Sequence, residues 1–178
     1  MEIKGTLRRR DDAGVVHLEA IYDAPISEVW AALTDPTRVA GWYGNVEGDL
    51  RAGGDFRLAV PSSGWEGTGH IAVCAAPDHL VVRTREDQES YETGQGARPF
   101  DDEIDVTLEA QGASTRVVAD ISGLPIDKVQ YYGAGWQLHA ENLGALLAGE
   151  PQIGEGRFDE LLPFYTAQAE ALDSPFSR

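Results

Sequence analysis

The side chains with most chemistry to offer lie in one stretch, Pro125 to Gly149. Within it Tyr132, Trp136 and His139 fall three and four residues apart, in step with Val129, Leu143 and Leu146, which puts all six on one face of a helix. Tyrosine and histidine can each give or take a proton, and tryptophan adds a large ring with one N–H. Such a face suits acid–base chemistry or contact with an apolar, aromatic molecule. It also suits a core in which the rings simply pack and the histidine is hydrogen-bonded. Trp30, in an earlier segment, reads as packing alone.

Other reactive groups are scattered. His17, His70 and His79 join no HExxH or CxxC spacing, so no metal site is expected. Cys74 sits within an apolar strand and reads as an inert packed thiol. There is no GxSxG, P-loop or GxGxxG, only the isolated Gly94-Gln-Gly96. No cofactor is called for.

These groups must be positioned by elements whose signals are local. Asp127 is placed to cap the helix, and Gly149 with Pro151 supplies its stop. Gly133 and Gly135 cost helix propensity, so they admit a close neighbour or leave room for a ligand. Upstream, residues 2–10 and 14–22 read as a hairpin, with Val16, Leu18, Ala20 and Tyr22 alternating inward. Pro25 opens a short helix with Ile26, Val29, Trp30 and Leu33 on one face, and Asp35-Pro36 starts a second. Strand patterns then run to residue 122: Phe56, Leu58 and Val60 alternate, then Trp65–Ala75, His79–Arg85, and the hairpin 101–110 with 114–122. Residues 86–100 read as a polar loop, either a hairpin tip or a lid over a cavity mouth. Phe158, Leu161, Leu162, Tyr165, Ala169 and Leu172 form a terminal helix, bent near Pro163 and packing outside the core. The fold class is α+β: a curved antiparallel sheet around a long C-terminal helix, two short helices after the first strands, and an extra terminal helix.

Bulk properties narrow the partners. The chain's 178 residues suit one domain, with a core over 5–149 and a helical extension over 155–173. With 30 acidic residues against 14 basic ones and a net charge of −16, broad binding to nucleic acid or an anionic membrane is excluded. One cysteine permits no internal disulfide, and no apolar run reaches a membrane span, so a cytoplasmic location is expected. A homodimer is compatible with the sequence.

An ordered series of motifs points further. Ala24-Pro25-Ile-Ser-Glu-Val-Trp30, Leu33-Thr-Asp-Pro36, Gly41-Trp42-Tyr43, Arg51-Ala-Gly-Gly54-Asp-Phe56, Gly69-His70 through Pro77, Leu108 through Arg116, and Ala134-Gly-Trp136 through Leu147 run through residues 5–149. The series resembles the family named for the activator of heat-shock protein 90 ATPase, in the form of bacterial homologues of its C-terminal domain. The resemblance implies the helix-grip fold, shared with lipid-transfer domains, polyketide cyclases and pollen allergens, with a cavity between sheet and long helix. It adds Trp42, Phe56 and Trp65 to Tyr132, Trp136 and His139 as expected cavity-lining, ligand-binding residues. Chaperone activation belongs to eukaryotic members with an additional N-terminal domain, for which 178 residues leave no room, so a chaperone partner is not expected. Three functions follow: a binding protein for a small hydrophobic molecule, a cyclase- or dehydratase-type enzyme using His139 or Tyr132, and a protein-interaction module.

Overall fold

A computed structural model describes residues 2–87, 101–154 and 156–172. Strands β1 (Glu2–Arg10) and β2 (Ala13–Tyr22) precede helices α1 (Ile26–Thr34) and α2 (Pro36–Val39). Then come β3 (Asn45–Gly48), β4 (Asp55–Val60), β5 (Trp65–Ala75), β6 (His79–Glu86), β7 (Asp101–Gln111) and β8 (Ser114–Pro125). A 3-10 turn (Ile126–Lys128), the long helix α3 (Val129–Ala148) and α4 (Gly156–Leu172) complete the order. The strands form one antiparallel sheet in the order β1-β2-β8-β7-β6-β5-β4-β3, the α+β helix-grip arrangement. Register shifts at Gly14/Val15 and Ile71/Val73 mark irregularities of the kind that bend a sheet.

Alternation explains the sheet's two faces. Leu18, Ala20 and Tyr22, Phe56, Leu58 and Val60, and Ile104, Val106 and Leu108 are buried and share one core. Two strand glycines serve the same face: a Cβ at Gly69 would lie 2.1 Å from the Phe56 ring, and one at Gly67 2.5 Å from the Trp65 ring. A side chain at Gly69 would have to displace the Phe56 ring, and one at Gly67 would meet the Arg85 backbone carbonyl, 2.1 Å away, as well as the Trp65 ring. Tyr22 ties β2 to α3 by donating its hydroxyl hydrogen to the Ala140 carbonyl at 2.9 Å.

The helix ends correct two expectations. Pro25 stands one residue ahead of α1, where its carbonyl accepts from Glu28 and Val29 at 2.9 and 3.2 Å. Asp127 does not cap α3, because it lies inside the 3-10 turn and the preceding Lys128 makes no side-chain cap bond. Asp35 does cap α2, accepting from the Thr37 and Arg38 amides, and Gly149 closes α3 at φ 71°, the left-handed conformation glycine tolerates.

The terminal helix differs most from expectation. It runs unbroken through Pro163, and Leu161 and Tyr165 are part of the core rather than outside it. Tyr165 has no exposed surface; its ring fills the space that a Cβ at Gly133 would need. Its hydroxyl donates to Gln137 at 2.7 Å, Gln137 donates to Glu141 at 3.0 Å, and Arg157 forks onto Glu141 at 2.8 and 2.9 Å. Helix α3 is thus buried on a second face (Gly133, Gln137, Glu141) that carries no apolar pattern to announce it. Farther along α4, the Gln168 amide accepts from the Leu7 N–H at 2.8 Å and donates to the Gly5 carbonyl at 3.2 Å, occupying the free edge of β1.

Candidate functional site

Sheet and α3 do not close completely on each other. Between them lies a chamber of about 130 Å³ whose wall is almost wholly apolar, with Leu18, Phe56, Leu58, Ile71, Val106 and Leu143 among its lining. Beside it, towards the start of α3, lies a cleft of about 910 Å³ open on one side. Tyr43, Thr84 and Trp136 line both spaces and form their shared wall.

That wall is an aromatic column. Tyr43 stacks on Trp42 with centroids 5.3 Å apart and planes at 25°, and on Trp136 at 5.2 Å and 30°. His139 meets Tyr43 edge-on at 4.8 Å and Trp136 at 5.9 Å. The indole N–H of Trp42 donates to the Ala32 carbonyl at 2.9 Å, anchoring the column's base to α1. His139 places Nδ1 3.4 Å from the Trp42 carbonyl; a carbonyl can only accept, so the proton sits on Nδ1. Burial pulls His139 down to about 4, which keeps the imidazole neutral at pH 7.

The polar end of the cleft is built by strand register. On β6 the inward positions run Leu80, Val82, Thr84, Glu86; on β7 they run Leu108, Val106, Ile104, Asp102. Both stripes begin apolar and end polar at the same end of the sheet. Thr84 and Asp102 are directly paired across the strands, and the threonine hydroxyl donates to the carboxylate. Thr84 is 4% exposed, Glu86 3% and Asp102 8%. Burial pushes Asp102 up to about 6, against the opposing pull of Thr84. Burial also raises the Tyr43 and Tyr132 hydroxyls far above the usual phenol range, and nearby carboxylates push the same way: Asp102 on Tyr43, and Glu86 and Asp102 on Tyr132.

All six residues expected at a cavity line one of these spaces. Trp42 and Phe56 face the chamber, Trp65, Tyr132 and His139 the cleft, and Trp136 both. The column unites Trp42, Trp136 and His139; Phe56 lies apart, across Gly69. Sequence reasoning missed Tyr43, which is the column's centre, together with Thr84, Glu86 and Asp102. The last three were legible by parity, since they continue the inward series of Leu80 and Ile104. Placing 86–100 in a loop hid Glu86, which belongs to β6. Of the lid expected at 86–100, residues 88–100 lie outside the described residues. The two helix glycines divide the roles expected of them: Gly133 receives Tyr165, while Gly135 lines the cleft with nothing within 4 Å of a Cβ.

The remaining histidines stay away from both spaces. His17 pairs with Asp120 at 2.7 Å, His70 with Asp55 at 2.7 Å, and His79 with Asp105 at 2.9 Å. Among the described residues no three histidine, cysteine or carboxylate groups converge on a metal position. No helix among them is long and apolar enough to cross a membrane.

A curved antiparallel sheet gripping a long helix, with a chamber between, defines the helix-grip class. The model of the family described as activator of Hsp90 ATPase homolog 1-like protein matches residues 23–148, and the chain belongs to that family. Solved structures share the fold. CalU16 from Micromonospora echinospora superposes with a TM-score of 0.72 at 23% identity, over 96% of this chain and 99% of that one. EF2215 from Enterococcus faecalis, a conserved protein of unknown function, gives 0.70 at 18% identity, over 96% and 93%. DynU16, from the dynemicin biosynthetic locus, gives 0.66 at 26% identity, and this chain spans 82% of itself but 51% of DynU16. No curated protein matches the sequence.

Proposed function

We propose that this protein binds a small hydrophobic or aromatic molecule between the sheet and α3, with an apolar group in the chamber and a polar end in the cleft. The observation that carries this reading is the chamber itself: an unfilled, apolar space of about 130 Å³ beside a larger cleft. Apolar cavities of about 150 Å³ in other proteins stay dry and take up a benzene-sized ring. Leaving such a space empty costs contacts that a filled core would keep, so its presence favours an occupant. An interaction module needs no such space, which supports binding over that reading.

Native mass spectrometry after incubation with flat aromatic compounds, naphthalenes and flavones, tests the proposal. Wild type is expected to retain one molecule. Trp136→Ala should weaken retention by breaking the shared wall, and Ala140→Leu should abolish it by filling the chamber while leaving the fold intact. Failure of the wild type to retain any compound would overturn the proposal.

A second reading, acid–base catalysis on the bound molecule, is supported by Asp102, bonded to Thr84 on the cleft wall with its carboxyl raised by burial to about 6. It predicts that a retained compound leaves with a changed mass or structure, and that Asp102→Asn stops the change without stopping retention.

A further inference from the structure

We infer that the molecule bound is a cation at its cleft end: a protonated amine carried on an apolar or aromatic body. This inference rests on the binding reading above and adds the chemistry of the polar group.

Three features of the cleft carry it. First, Asp102 is more than nine-tenths buried and lines the cleft, and its bonded side-chain partner is a neutral hydroxyl, that of Thr84. Among the described residues no Lys or Arg forms an ion pair with it. A buried carboxylate without a cation is costly, and a cation delivered by a ligand relieves that cost. With its carboxyl held at about 6, Asp102 is mostly an anion at pH 7.5.

Second, Trp65, Tyr132 and Trp136 also line the cleft, while the faces of Tyr43 are taken up by Trp42 and Trp136. Ring faces attract ammonium groups, and aromatic walls around an acid are a standard arrangement for holding them. His139 cannot compete for the role, since it is neutral at this pH.

Third, the charges agree. Among the described residues, the ionisable carboxylates lining the cleft are Glu86, Asp102 and Asp159, against one ammonium, Lys128. The chain as a whole carries −16, a field that draws cations in and turns anions away. An anionic ligand would meet repulsion at the polar end, and a neutral one would leave Asp102 with hydrogen bonds but no cation.

The test compares three probes of one shape by titration calorimetry at pH 7.5: 2-naphthylmethylamine, 2-naphthalenemethanol and 2-naphthoate. The amine is expected to bind about ten-fold tighter than the alcohol, and the carboxylate more weakly than both, a cation's preference for a buried acid and ring wall. In Asp102→Asn the amine's advantage over the alcohol should fall to about three-fold or less, and a cooperative urea transition shows that the variant is folded. Equal binding of amine and alcohol by the wild type, or tighter binding of the carboxylate, would overturn the inference while leaving the hydrophobic-binding proposal standing. Failure of all three probes to bind would overturn both.

Discussion

Strands β6 and β7 present two faces that treat carboxylates in opposite ways. On the outer face His79 meets Asp105 at 2.9 Å, Arg83 meets Glu103 at 2.9 Å and Arg85 meets Asp101 at 2.6 Å. These pairs are exposed to solvent, and water screens them. One residue over, on the inner face, Asp102 is buried against a threonine at the polar end of the stripe and its carboxyl rises to about 6. The same residue type, separated by a single peptide unit, is a solvated surface charge on one side and a buried polar handle on the other. Strand parity makes the difference, and the cavity gives the inner handle something to face.

Moving a carboxylate along the inner stripe should break the comparison most severely. Leu108→Asp puts an acid at the far end of that stripe, on a residue that lines neither space, and should cost about 4 kcal/mol or more. Loss of the cooperative urea transition would check it; near-native stability would mean that the inner face tolerates charge anywhere. Tyr165→Ala tests whether the second buried face of α3 belongs to the same core. Losing this fully buried ring, which fills the space over Gly133, should cost about 3–5 kcal/mol by chemical denaturation. A much smaller loss would return α4 to the outside of the core.

Two ionisable groups lining the cleft sharpen the contrast through pH. Asp102 is raised when folded, from 3.8 to about 6, so the folded state holds the proton longer than the unfolded chain. Its contribution is therefore greatest below pH 3.8 and is lost as pH rises to about 6. His139 is lowered when folded, from 6.5 to about 4, so its contribution is present above pH 6.5 and lost as pH falls to about 4. The two slopes oppose each other between pH 4 and 6. Asp102→Asn should make stability rise more steeply with pH in that window, and His139→Gln should flatten it, as read from melting temperatures across the range. A profile unchanged in both variants would show that these sites are not perturbed. On the outer face, Arg83→Ala should change stability by less than about 1 kcal/mol, because the pair with Glu103 is exposed. A larger loss would mean that the outer row is more than a solvated surface.

Legibility followed the range of the forces involved. Period-two burial located β2, β4, β5, β6, β7 and β8, and proline and glycine marked the ends of α1, α2 and α3. The residues Tyr132, Trp136 and His139 were visible because a helix repeats every three to four positions, and all three line the cleft. The short edge strand β3 escaped, since Asn45–Gly48 carries no alternating burial. Tyr43 escaped for another reason: its partners Trp136 and His139 are about a hundred residues away, and only the closure of the sheet brings them together. Asp102 and Glu86 were readable by counting from Ile104 and Leu80, but acids near a polar segment look like surface until register is known.

What the sequence determined by itself was a one-faced antiparallel sheet, a long helix with an aromatic first half, and a strongly acidic chain. Hydrophobic period and turn chemistry are local, so they can be read without neighbours. The tertiary structure decided which acids became buried, which rings stacked, and that α4 seals the polar second face of α3. It also decided that sheet and helix stop short of contact and leave a chamber of about 130 Å³. Those outcomes depend on distances between residues far apart in the chain, and on whether side-chain volume suffices to fill the space that a bent sheet encloses.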